Sequence, residues 1–520
     1  MEIHALPATE LRRLLDLGEL GSVAIVRALH ARREAVDGAL NAWVHRFDQA
    51  ALAQAAQADT ERRQGTARGL LHGIPFSIKE NLATVGLPQT LGIRALLDQP
   101  ATADAVVVQQ ARRAGGIPLG KSNVPLLLLA METHNDIWGT TKNPWDLARS
   151  PGGSSGGESA LLASGQSPLG LGTDIGGSIR LPAAWCGICG LKPTLGRWSQ
   201  QGSAGGIPGQ ETVRSTTGPL ARTVGDLGLL WQALSGAEQH ALDPRVPPLP
   251  AGDPSTVDLS GLRVGVYVDD GVIAATPPVA RGVRTAAEAL RQAGATVVDF
   301  RPPDGWELVD AYFGAISADG AATARARIGD QGPTVHLKSL FLLATLPGPV
   351  RTLAAAIMEA RGEHRVARLM RAFGDKPVQR LFAINAARQR LQQAELQAWA
   401  AQGLDLVLAP PTVTPPALLD QTGDWSLGAW HTMRYNLLDL PAGVVPVSTV
   451  RLDEQVMPPG GDRLDQRSAA FLAGSVGLPL AAQVVGRPWQ EPTVLAAMAA
   501  IEARVRQQEG FPATPIDPRG

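Results

Sequence analysis

The chain has 520 residues, of which 44% are hydrophobic and 18% are charged, so a sizeable core is expected and disorder as the main state is not. Its 47 Lys and Arg nearly balance its 48 Asp and Glu. The resulting net charge of -1 gives no basic excess to neutralise phosphates, which argues against a dedicated nucleic-acid binder.

The N-terminal segment, MEIHALPATELRRLLDLGEL, lacks the basic-then-apolar order of a signal peptide. No stretch approaches the roughly 20 uninterrupted apolar residues that a membrane-spanning helix needs. The two cysteines, Cys186 and Cys189, are too few for a disulfide framework. The sequence therefore predicts a cytoplasmic protein.

The first sixty or so residues are predicted to be helical, because apolar side chains recur there at helical spacing. From residue 66 to about residue 210, Gly, Pro and other small residues dominate, which indicates many special backbone positions. Strands and helices then alternate, and this order predicts a mixed or parallel sheet covered by helices. The predicted strands are 74–78, 117–119, 262–268, 295–300, 404–408 and 477–485. The predicted helices are 106–114, 279–293, 377–402 and 492–508.

Three short patterns match known motifs but lack the context that each motif needs. Residues 115–122, GGIPLGKS, match a phosphate-binding loop, yet a helix is predicted before them and a strand within them. Residues 153–157, GSSGG, fit a nucleophile elbow centred on Ser155, but a polar loop precedes them, which leaves an α/β-hydrolase as the weaker alternative. Cys186 and Cys189 have no second cysteine pair to complete a zinc site, which favours two buried thiols.

Lysine is scarce in this chain, with 6 Lys among the 47 basic residues, and Lys79 follows the apolar run 74–78. Such a lysine either extends its ammonium group to water or lies in a wall of low dielectric constant. In the second case desolvation favours the neutral amine, which makes the side chain a candidate base near neutral pH. Arginine cannot take this role because it does not deprotonate in proteins.

Two loops place serines beside glycines. Residues 150–162, SPGGSSGGESALL, carry Ser154 and Ser155 between glycine pairs and are predicted to enter a helix near Glu158. Residues 169–180, LGLGTDIGGSIR, repeat this design around Ser178. Glycine allows the backbone to approach a ligand closely. Both loops are therefore candidates for a binding or catalytic role, against the alternative of capped, flexible loops.

Gly176 and Gly177 stand directly before Ser178, and successive backbone N–H groups with little side chain around them can form an anion-binding nest. If Ser178 attacked a carbonyl carbon, these N–H groups would stabilise the developing oxyanion. Asp174 and Arg180 flank the turn with opposite charges and are predicted to brace it rather than to react.

Taken together, these segments resemble the amidase signature family of serine hydrolases. The resemblance spans most of the chain, and residues 186–194 and 436–447 look most like the fatty acid amide hydrolase group. The motifs, in chain order, are HGIPFSIKEN, GKSNVP, TTKNPWD, SPGGSSGGESALL, GTDIGGSIRLPAAWCGICGLKPT, NLLDLPAGVVPV and GLPLAAQVVGRPWQE.

The resemblance implies a Ser–Ser–Lys triad rather than a Ser–His–Asp triad. By motif position, Ser178 is the nucleophile, Ser154 is the bridging serine and Lys79 is the terminal base. Ser154 is expected to follow Gly153 in a cis peptide and to lie against the substrate. None of the nine His of the chain lies in the Gly/Ser motifs, which suits a relay without histidine.

The resemblance also implies the supporting residues of the site. Ser155 is expected to support the loop by hydrogen bonding, and the backbone at Leu128 is expected to contact the substrate. Neither a cofactor nor a metal ion is expected. The backbone N–H groups expected to form the oxyanion hole are those of Ile175, Gly176, Gly177 and Ser178.

The fold that the resemblance implies is α/β, a single large domain with a mixed, mostly parallel central sheet and helices on both faces. The chain is divided into five segments of this one domain. They are N-terminal helices packed on the core (1–65), the catalytic core (66–210), βα elements that continue the sheet (211–335), a helical cap and substrate-access region (336–402) and C-terminal strands and helices (403–520).

Residues 336–358, HLKSLFLLATLPGPVRTLAAAIM, form two short apolar pieces split by a Pro-Gly-Pro sequence. By resemblance they fall where the family has a lipid-facing cap. Two interpretations stay open at this point. One is an ordinary helical hairpin packed on the core, and the other is a peripheral membrane contact by which a lipophilic substrate enters.

The expected reaction is hydrolysis of a small-molecule carboxamide with a lipophilic acyl or aryl group, giving an acid and an amine or ammonia through an acyl-enzyme. Esterase or carbamate-cleaving side activity is compatible with this chemistry. The alternative enzyme is the glutamine-amidase subunit of a tRNA-dependent amidotransferase, and a third hypothesis is a binding scaffold that retains the serines. Relatives are often dimers, so a homodimer is among the expected states.

Overall fold

The computed structural model of this chain describes residues 2–236, 238–457 and 461–519. Met1 and Gly520, the two ends of the predicted segment layout, lie outside these ranges. The strands are β1 (Trp43–Arg46), β2 (Pro75–Lys79), β3 (Ile117–Ser122), β4 (His134–Asn135), β5 (Gly139–Thr140), β6 (Leu169–Asp174), β7 (Cys189–Lys192), β8 (Thr216–Ala221), β9 (Arg263–Val266), β10 (Thr296–Asp299), β11 (Leu406–Ala409), β12 (Ala442–Thr449) and β13 (Pro479–Gly486).

The helices connect these strands and cover them. They are α1 (Ala8–Asp16), α2 (Ser22–Leu40), α3 (Asp48–Arg63), α4 (Val106–Arg113), α5 (Gly156–Ala163), α6 (Arg180–Cys186), α7 (Val224–Leu234), α8 (Glu238–Leu242), α9 (Pro277–Gln292), α10 (Gly305–Ile316), α11 (Ala322–Ile328), α12 (Lys338–Thr345), α13 (Gly348–Ala360), α14 (His364–Ala372), α15 (Val378–Ala401), α16 (Trp430–Leu437), α17 (Arg463–Leu472) and α18 (Glu491–Val505).

Among the described residues, eleven strands form one sheet in the order β1-β3-β2-β6-β8-β7-β12-β13-β11-β9-β10, while β4 and β5 pair separately. The predicted α/β fold with a mixed sheet is confirmed. The expectation that the sheet is mostly parallel is wrong, because only the pairs β2–β3, β2–β6, β9–β10 and β9–β11 are parallel in the described sheet. Parallel pairs need long crossovers, whereas the centre of this sheet is built from antiparallel pairs.

Helices lie on both faces of the sheet, as predicted. Successive side chains of a strand point to opposite faces, and β13 shows this alternation clearly. Leu480, Ala482 and Val484 belong to the core cluster that also contains residues of α9 and α18. Val485 belongs to a second cluster on the opposite side, with residues of α10 and α15.

The predicted alternation of strands and helices after residue 261 is confirmed, with β9, α9, β10, α15, β11, β13 and α18 at the expected places. The GGIPLGKS segment contains β3 and follows α4, so it is no phosphate-binding loop. The wholly helical interpretation of the first sixty residues is wrong at β1, which pairs antiparallel with β3. The four residues of β1 are too few to show a period of two between two helical segments.

The sheet brings the predicted catalytic segments together. Lys79 is the last residue of β2 and Asp174 is the last residue of β6, and these two neighbouring strands are parallel. Both segments therefore end at the same edge of the sheet. The serine loops lie at this edge as well, since α5 begins just after Ser155 and α6 begins just after Ile179.

The 336–358 segment forms α12 and α13, which meet at an angle of 119°. In the described ranges no single helix is both long and apolar enough to cross a bilayer, although this bent pair passes the test of length and composition when taken together.

Candidate active site

Lys79 is completely buried, and its amine lies among three oxygen atoms. Its Nζ donates to Ser154 Oγ at 2.8 Å, to Thr173 Oγ1 at 3.0 Å and to the Thr173 carbonyl at 3.1 Å. When the amine is neutral, the two Thr173 oxygens can accept its two N–H groups. The nitrogen lone pair is then left to face the hydroxyl of Ser154.

Burial lowers the pKa of Lys79 to about 7, because desolvation penalises the ammonium form. The negative charges of Asp174, Glu158 and Glu80 act in the opposite direction and favour the ammonium form. Of the two interpretations that the sequence left open, the buried one is correct. A lysine with this pKa exchanges a proton near neutral pH, as a general base must.

The loop that carries Ser154 lies at the edge of the sheet where β2 and β6 end. The Gly153–Ser154 peptide is cis, as the resemblance implies. A side chain at Gly153 would place its Cβ 2.5 Å from the Ala130 carbonyl oxygen, so only glycine fits there. The N–H of Ser155 donates to the Ser178 carbonyl at 3.0 Å, which ties the two serine loops together.

The hydroxyls of Ser154 and Ser178 lie on these adjoining loops, but no hydrogen bond within 3.5 Å joins them among the described residues. Catalytic hydrogen bonds are often long without substrate and shorten in the Michaelis complex. The neighbouring Ser155 contacts β6 instead, where its Oγ donates a long hydrogen bond of 3.4 Å to the Thr173 carbonyl. The structure thus brings Lys79 and Ser154 into direct contact and places Ser178 on the next loop.

Asp174 and Arg180 brace the turn before Ser178. Arg180 Nε and Nη2 donate to the Asp174 carboxylate at 3.0 and 2.9 Å, and both side chains are buried. Burial alone would raise the pKa of Asp174, but the Arg180 charge and hydrogen bonds outweigh it and hold the pKa well below its usual range. Two distant residues complete the clamp, since Arg180 also donates to Gln483 Oε1 at 2.7 Å and to Asn436 Oδ1 at 2.6 Å.

The four predicted oxyanion-hole N–H groups differ in their hydrogen bonding. Gly177 N–H donates to Asp174 Oδ1 at 2.8 Å, so this group is already occupied, and here the structure departs from the prediction. The N–H groups of Gly176 and Ser178 make no hydrogen bond to any other described residue. The carbonyls of Ile175 and Gly176 accept from Tyr312 and Thr432 at 3.2 and 3.0 Å, which fixes the peptide orientations.

Ser178 is 8% exposed and opens into a cavity of about 1020 Å³ of empty space, part of it open to solvent. Leu127 and Leu128 have φ values of 58° and 61° in the left-handed region, which turns the chain so that 128–131 lines this cavity beside Ser178. Most of the lining is apolar. It includes Leu128, Met131, Phe313, Ile316, Leu340, Phe341, Phe373 and Met433.

The sequence profile of the amidase family matches residues 24–495. The chain belongs to this family. Fatty-acid amide hydrolase 1 of Sus scrofa is similar to this chain, with 35% identity over 505 residues that cover 96% of this chain and 85% of the relative. A solved structure of a fatty acid amide hydrolase has a TM-score of 0.83 at 27% identity and covers 97% of this chain and 85% of that one.

A second kind of relative is a glutamyl-tRNA(Gln) amidotransferase subunit of Chloroflexus aurantiacus, which is 32% identical over 516 residues, or 95% of each chain. The predicted family is confirmed, and so is the resemblance to the fatty acid amide hydrolase group. This amidase is accordingly a hydrolase that acts on amide C–N bonds.

The two cysteines of the amidase are buried and free, as predicted. Burial raises the pKa of each thiol well above its ordinary value, so neither is a reactive thiolate.

Sequence reasoning missed a buried pair of ionisable side chains, Glu132 and His336, of which His336 lines the cavity. His336 Nε2 lies 3.5 Å from Glu132 Oε2 and 3.2 Å from Asp420 Oδ1. The Glu132 carboxylate also accepts from three backbone N–H groups and one hydroxyl of residues 420–422. The ligand atoms of Glu132, His336 and Asp420 lie within 4.8 Å of one another, a spacing that a divalent metal ion can bridge.

The charges of this pair stabilise each other. Burial lowers the pKa of His336, but Glu132 and Asp420 outweigh this effect and raise it, while the neighbouring His134 ring lies 5.2 Å away. Burial raises the pKa of Glu132, but His336 and the loop hydrogen bonds lower it overall. The ion pair therefore fastens the segment before α12 to the loop at 420–422.

The other residues that sequence reasoning missed are Thr173, Tyr312, Thr432, Asn436 and Gln483. Thr173 could have been found, because it lies in the GTDIGGS motif directly before Asp174. Asn436 and Gln483 also lie in quoted motifs, 436–447 and 477–491, whereas Tyr312 and Thr432 lie in none. All four are more than 130 residues from the groups that they contact, so the sequence does not indicate these contacts.

We expect His336→Gln to destabilise the amidase more at about pH 6 than at about pH 9. A raised pKa means that the folded state holds a proton on His336 more tightly, so this stabilisation is present below the ordinary His value and is lost as pH rises through the folded pKa. Leaving the Glu132 acceptor without its cation costs about 1–3 kcal/mol of unfolding free energy at the lower pH.

Chemical denaturation at the two pH values measures the difference. The matched control is His364→Gln, since His364 is an exposed histidine of α14. An equal loss of stability at both pH values would contradict the charged state assigned to His336.

Proposed function

We propose that this amidase hydrolyses lipophilic carboxamides through a Ser178–Ser154–Lys79 relay and an acyl-enzyme. The observation that carries the proposal is the buried amine of Lys79, which contacts Ser154 Oγ at 2.8 Å and exchanges a proton near neutral pH. A serine hydroxyl is a weak nucleophile unless a nearby base removes its proton. Neutral Lys79 is such a base, and Ser154 stands between it and the loop that carries Ser178.

In the proposed reaction, Ser178 Oγ attacks the carbonyl carbon of the substrate while its proton passes to Ser154 Oγ. The proton of Ser154 passes at the same time to Lys79 Nζ. The relay then runs in reverse, and Ser154 delivers a proton to the departing amine as the C–N bond breaks. Water enters and hydrolyses the acyl-enzyme through the same relay, which returns Ser178 to its starting state.

The tetrahedral intermediate carries a negative oxygen, which needs N–H donors held in place before the reaction. The unoccupied N–H groups of Gly176 and Ser178, and the Ile175 N–H beside them, are the donors in this proposal. Gly177 has an indirect role, because its N–H bond to Asp174 shapes the turn that presents the others.

The apolar cavity supports a lipophilic acyl or aryl group as the part of the substrate that is recognised. Apolar side chains predominate around the nucleophile, and burying a hydrocarbon chain there gains about 25 cal/mol per Å². Leu128 and Ser154 contact this group and the scissile amide in the proposal. Ester and carbamate side activity follows from the same attack on a carbonyl carbon.

The alternative is a glutamine-amidase of the amidotransferase type, and the 95% mutual coverage with the Chloroflexus aurantiacus protein is the observation that favours it. Glutamine is small and polar, so its carboxylate and ammonium groups need charged partners in the pocket. Among the described lining residues of the cavity, His336 is the single side chain that can carry a positive charge. The apolar lining therefore favours the lipophilic amide.

We expect Ser178→Ala to abolish amide turnover and labelling by a fluorophosphonate. Lys79→Ala should lower kcat by about 100-fold to 10,000-fold, the usual range for a general base. In the wild type, kcat/KM should rise as pH increases through about 7, since the neutral form of Lys79 is the active one.

The pH profiles of wild type and Lys79→Ala test these roles, with Lys142→Ala, which alters an exposed lysine outside the cavity, as the control. Ordinary turnover by Ser178→Ala would remove the nucleophile assignment. An unchanged acidic limb in Lys79→Ala would remove the base assignment.

The substrate class is tested with a panel of purified compounds: long-chain fatty amides, aryl amides, carbamates and free glutamine. We expect kcat/KM to be highest for a lipophilic amide and to fall as its acyl chain is shortened. Phe313→Arg, which places a charge in the cavity wall, should raise KM for the fatty amide. If glutamine is the one compound of the panel that is hydrolysed, the alternative is established. Dependence of that turnover on an added amidotransferase partner protein would be the strongest form of this result.

The proposal extends to a peripheral membrane contact through 336–358. Leu342 and Leu353 are 59% and 64% exposed on α12 and α13, and Val350 and Ile357 are exposed beside them. Phe341, one residue from Leu342, is buried and lines the cavity. Helix α12 thus has one face toward solvent and one toward the cavity, and α13 adds further exposed apolar side chains beside it. The cytoplasmic location and the homodimer expected from the sequence stay predictions.

We expect the wild type to float with phosphatidylcholine and phosphatidylserine liposomes, and Leu342→Glu with Leu353→Glu to reduce the bound fraction several-fold. Charged side chains on the exposed face oppose burial of that face in the interface. The matched control is Leu452→Glu, which alters a leucine that is exposed outside the cap. Failure of the wild type to bind any liposome would overturn the membrane contact.

A further inference from the structure

Glu158 is a fully buried carboxylate close to the relay that the proposed mechanism does not use. It lies in the first turn of α5, the helix that begins directly after Ser155. Its Oε2 accepts from Ser77 Oγ at 2.6 Å, whereas its Oε1 has no hydrogen-bond partner among the described residues. An incompletely paired carboxylate in a protein interior is costly, and an apolar residue in its place would avoid this cost.

The Glu158 carboxylate lies against β2, the strand that carries Lys79, and against the neighbouring strand β6. Ser77 lies two residues before Lys79 in β2, so both side chains leave the same face of the strand. Ser77 pairs with Gly170 of β6, and a Cβ on Gly170 would lie only 2.5 Å from Glu158 Oε2. The sheet therefore leaves room for this carboxylate beside β2 and β6, against the strand face from which the Lys79 side chain also leaves.

The charges of three carboxylates favour the ammonium form of Lys79, and these carboxylates differ in what stabilises their own charge. Asp174, at the end of β6, forms a direct ion pair with Arg180. Glu80, the residue directly after β2, accepts from the backbone N–H groups of Thr90 and Leu91 and from the Thr90 hydroxyl. Both of these anions have strong partners of their own.

Glu158 has a weaker partner, the hydroxyl of Ser77, and the charge of Lys79 also favours its ionised form. Burial raises the pKa of Glu158 to about 7, the same range to which burial lowers the pKa of Lys79. The charge of Glu158 therefore changes over the pH range in which Lys79 gains or loses its proton, while Asp174 stays ionised.

We propose that Glu158 is a positioning residue whose charge sets the fraction of Lys79 that is neutral and able to act as the base. An ionised Glu158 stabilises the Lys79 ammonium, whereas a protonated Glu158 does not. The protonation state of Glu158 thus changes the fraction of Lys79 that is neutral near pH 7. This inference rests on the proposed role of Lys79.

The test measures, as a function of pH, the rate at which an alkyl fluorophosphonate phosphonylates Ser178, a step in which an O–P bond forms and fluoride leaves. This readout needs no knowledge of the natural substrate. Glu158→Gln keeps the size of the side chain and an acceptor for Ser77 but removes the charge. We expect the midpoint of the acidic limb to move to lower pH by about one unit, because an opposite charge nearby no longer favours the ammonium form.

Two further variants make the experiment decisive. Glu502→Gln removes another buried carboxylate, on α18, and is expected to leave the midpoint unchanged. Ser77→Ala retains both titrating groups but removes the donor to Glu158, so its midpoint should also move to lower pH, by less than in Glu158→Gln. Ser77→Ala also serves as the test if Glu158→Gln does not fold, as judged by its unfolding transition.

The outcomes separate this inference from the proposed function. If the acidic limb of the wild type persists in Lys79→Ala, Lys79 is not the base and the proposed function itself fails. If the limb depends on Lys79 but neither Glu158→Gln nor Ser77→Ala moves its midpoint, only the role of Glu158 is overturned. A lower rate with an unmoved midpoint would show that Glu158 is merely structural.

Discussion

The burial of one amine is the constraint on which the rest of this structure depends. Lys79 can act near neutral pH only while water is kept from its Nζ, because hydration would restore the ordinary affinity of lysine for a proton. The strands β2 and β6 and the loop at Ser154 enclose it, and Thr173 supplies two of its hydrogen bonds. In the proposed mechanism, the same packing that holds the sheet together therefore creates the base, and a loose core at this point would reduce activity as well as stability.

A second constraint acts on the turn that carries Ser178. Four N–H groups in succession cannot all point at one oxygen, and the Asp174 carboxylate takes that of Gly177 while Arg180 fixes the carboxylate. Asn436 and Gln483 then tie this clamp to the C-terminal half of the chain. A charged pair this deeply buried is weak evidence for stability, since desolvation offsets much of its attraction. Its value here is orientation, because it holds the remaining N–H groups toward the cavity.

The catalytic candidates that the sequence offers are residues whose proposed role depends on the local backbone. Ser154 and Ser178 stand in glycine-rich loops, and Lys79 ends an apolar run, so each leaves a pattern within about ten residues. Long-range partners leave no such pattern: the order of strands decides that Asn436 meets Arg180 and that His336 meets Glu132. The direction of the strands was missed for the same reason, because a predicted strand such as β13 has the same sequence pattern in a parallel or an antiparallel pair. The strand β1 was missed because it is short and lies between two helices.

The cavity and the relay place opposite demands on the same small region. The relay needs polar atoms at fixed positions, whereas a lipophilic acyl group needs a wall without them. The structure separates the two by the backbone: the polar side chains of Lys79, Thr173 and Glu158 lie behind the loop at 153–155, and the apolar side chains of 128–131 lie before it. Ser178 lies at the boundary, where its hydroxyl can meet a substrate from one side and a proton acceptor from the other. Gly153 allows the backbone at 153–155 to pack directly against the backbone at Ala130. A side chain at Gly153 would collide with the Ala130 carbonyl and push the loop away from the cavity wall.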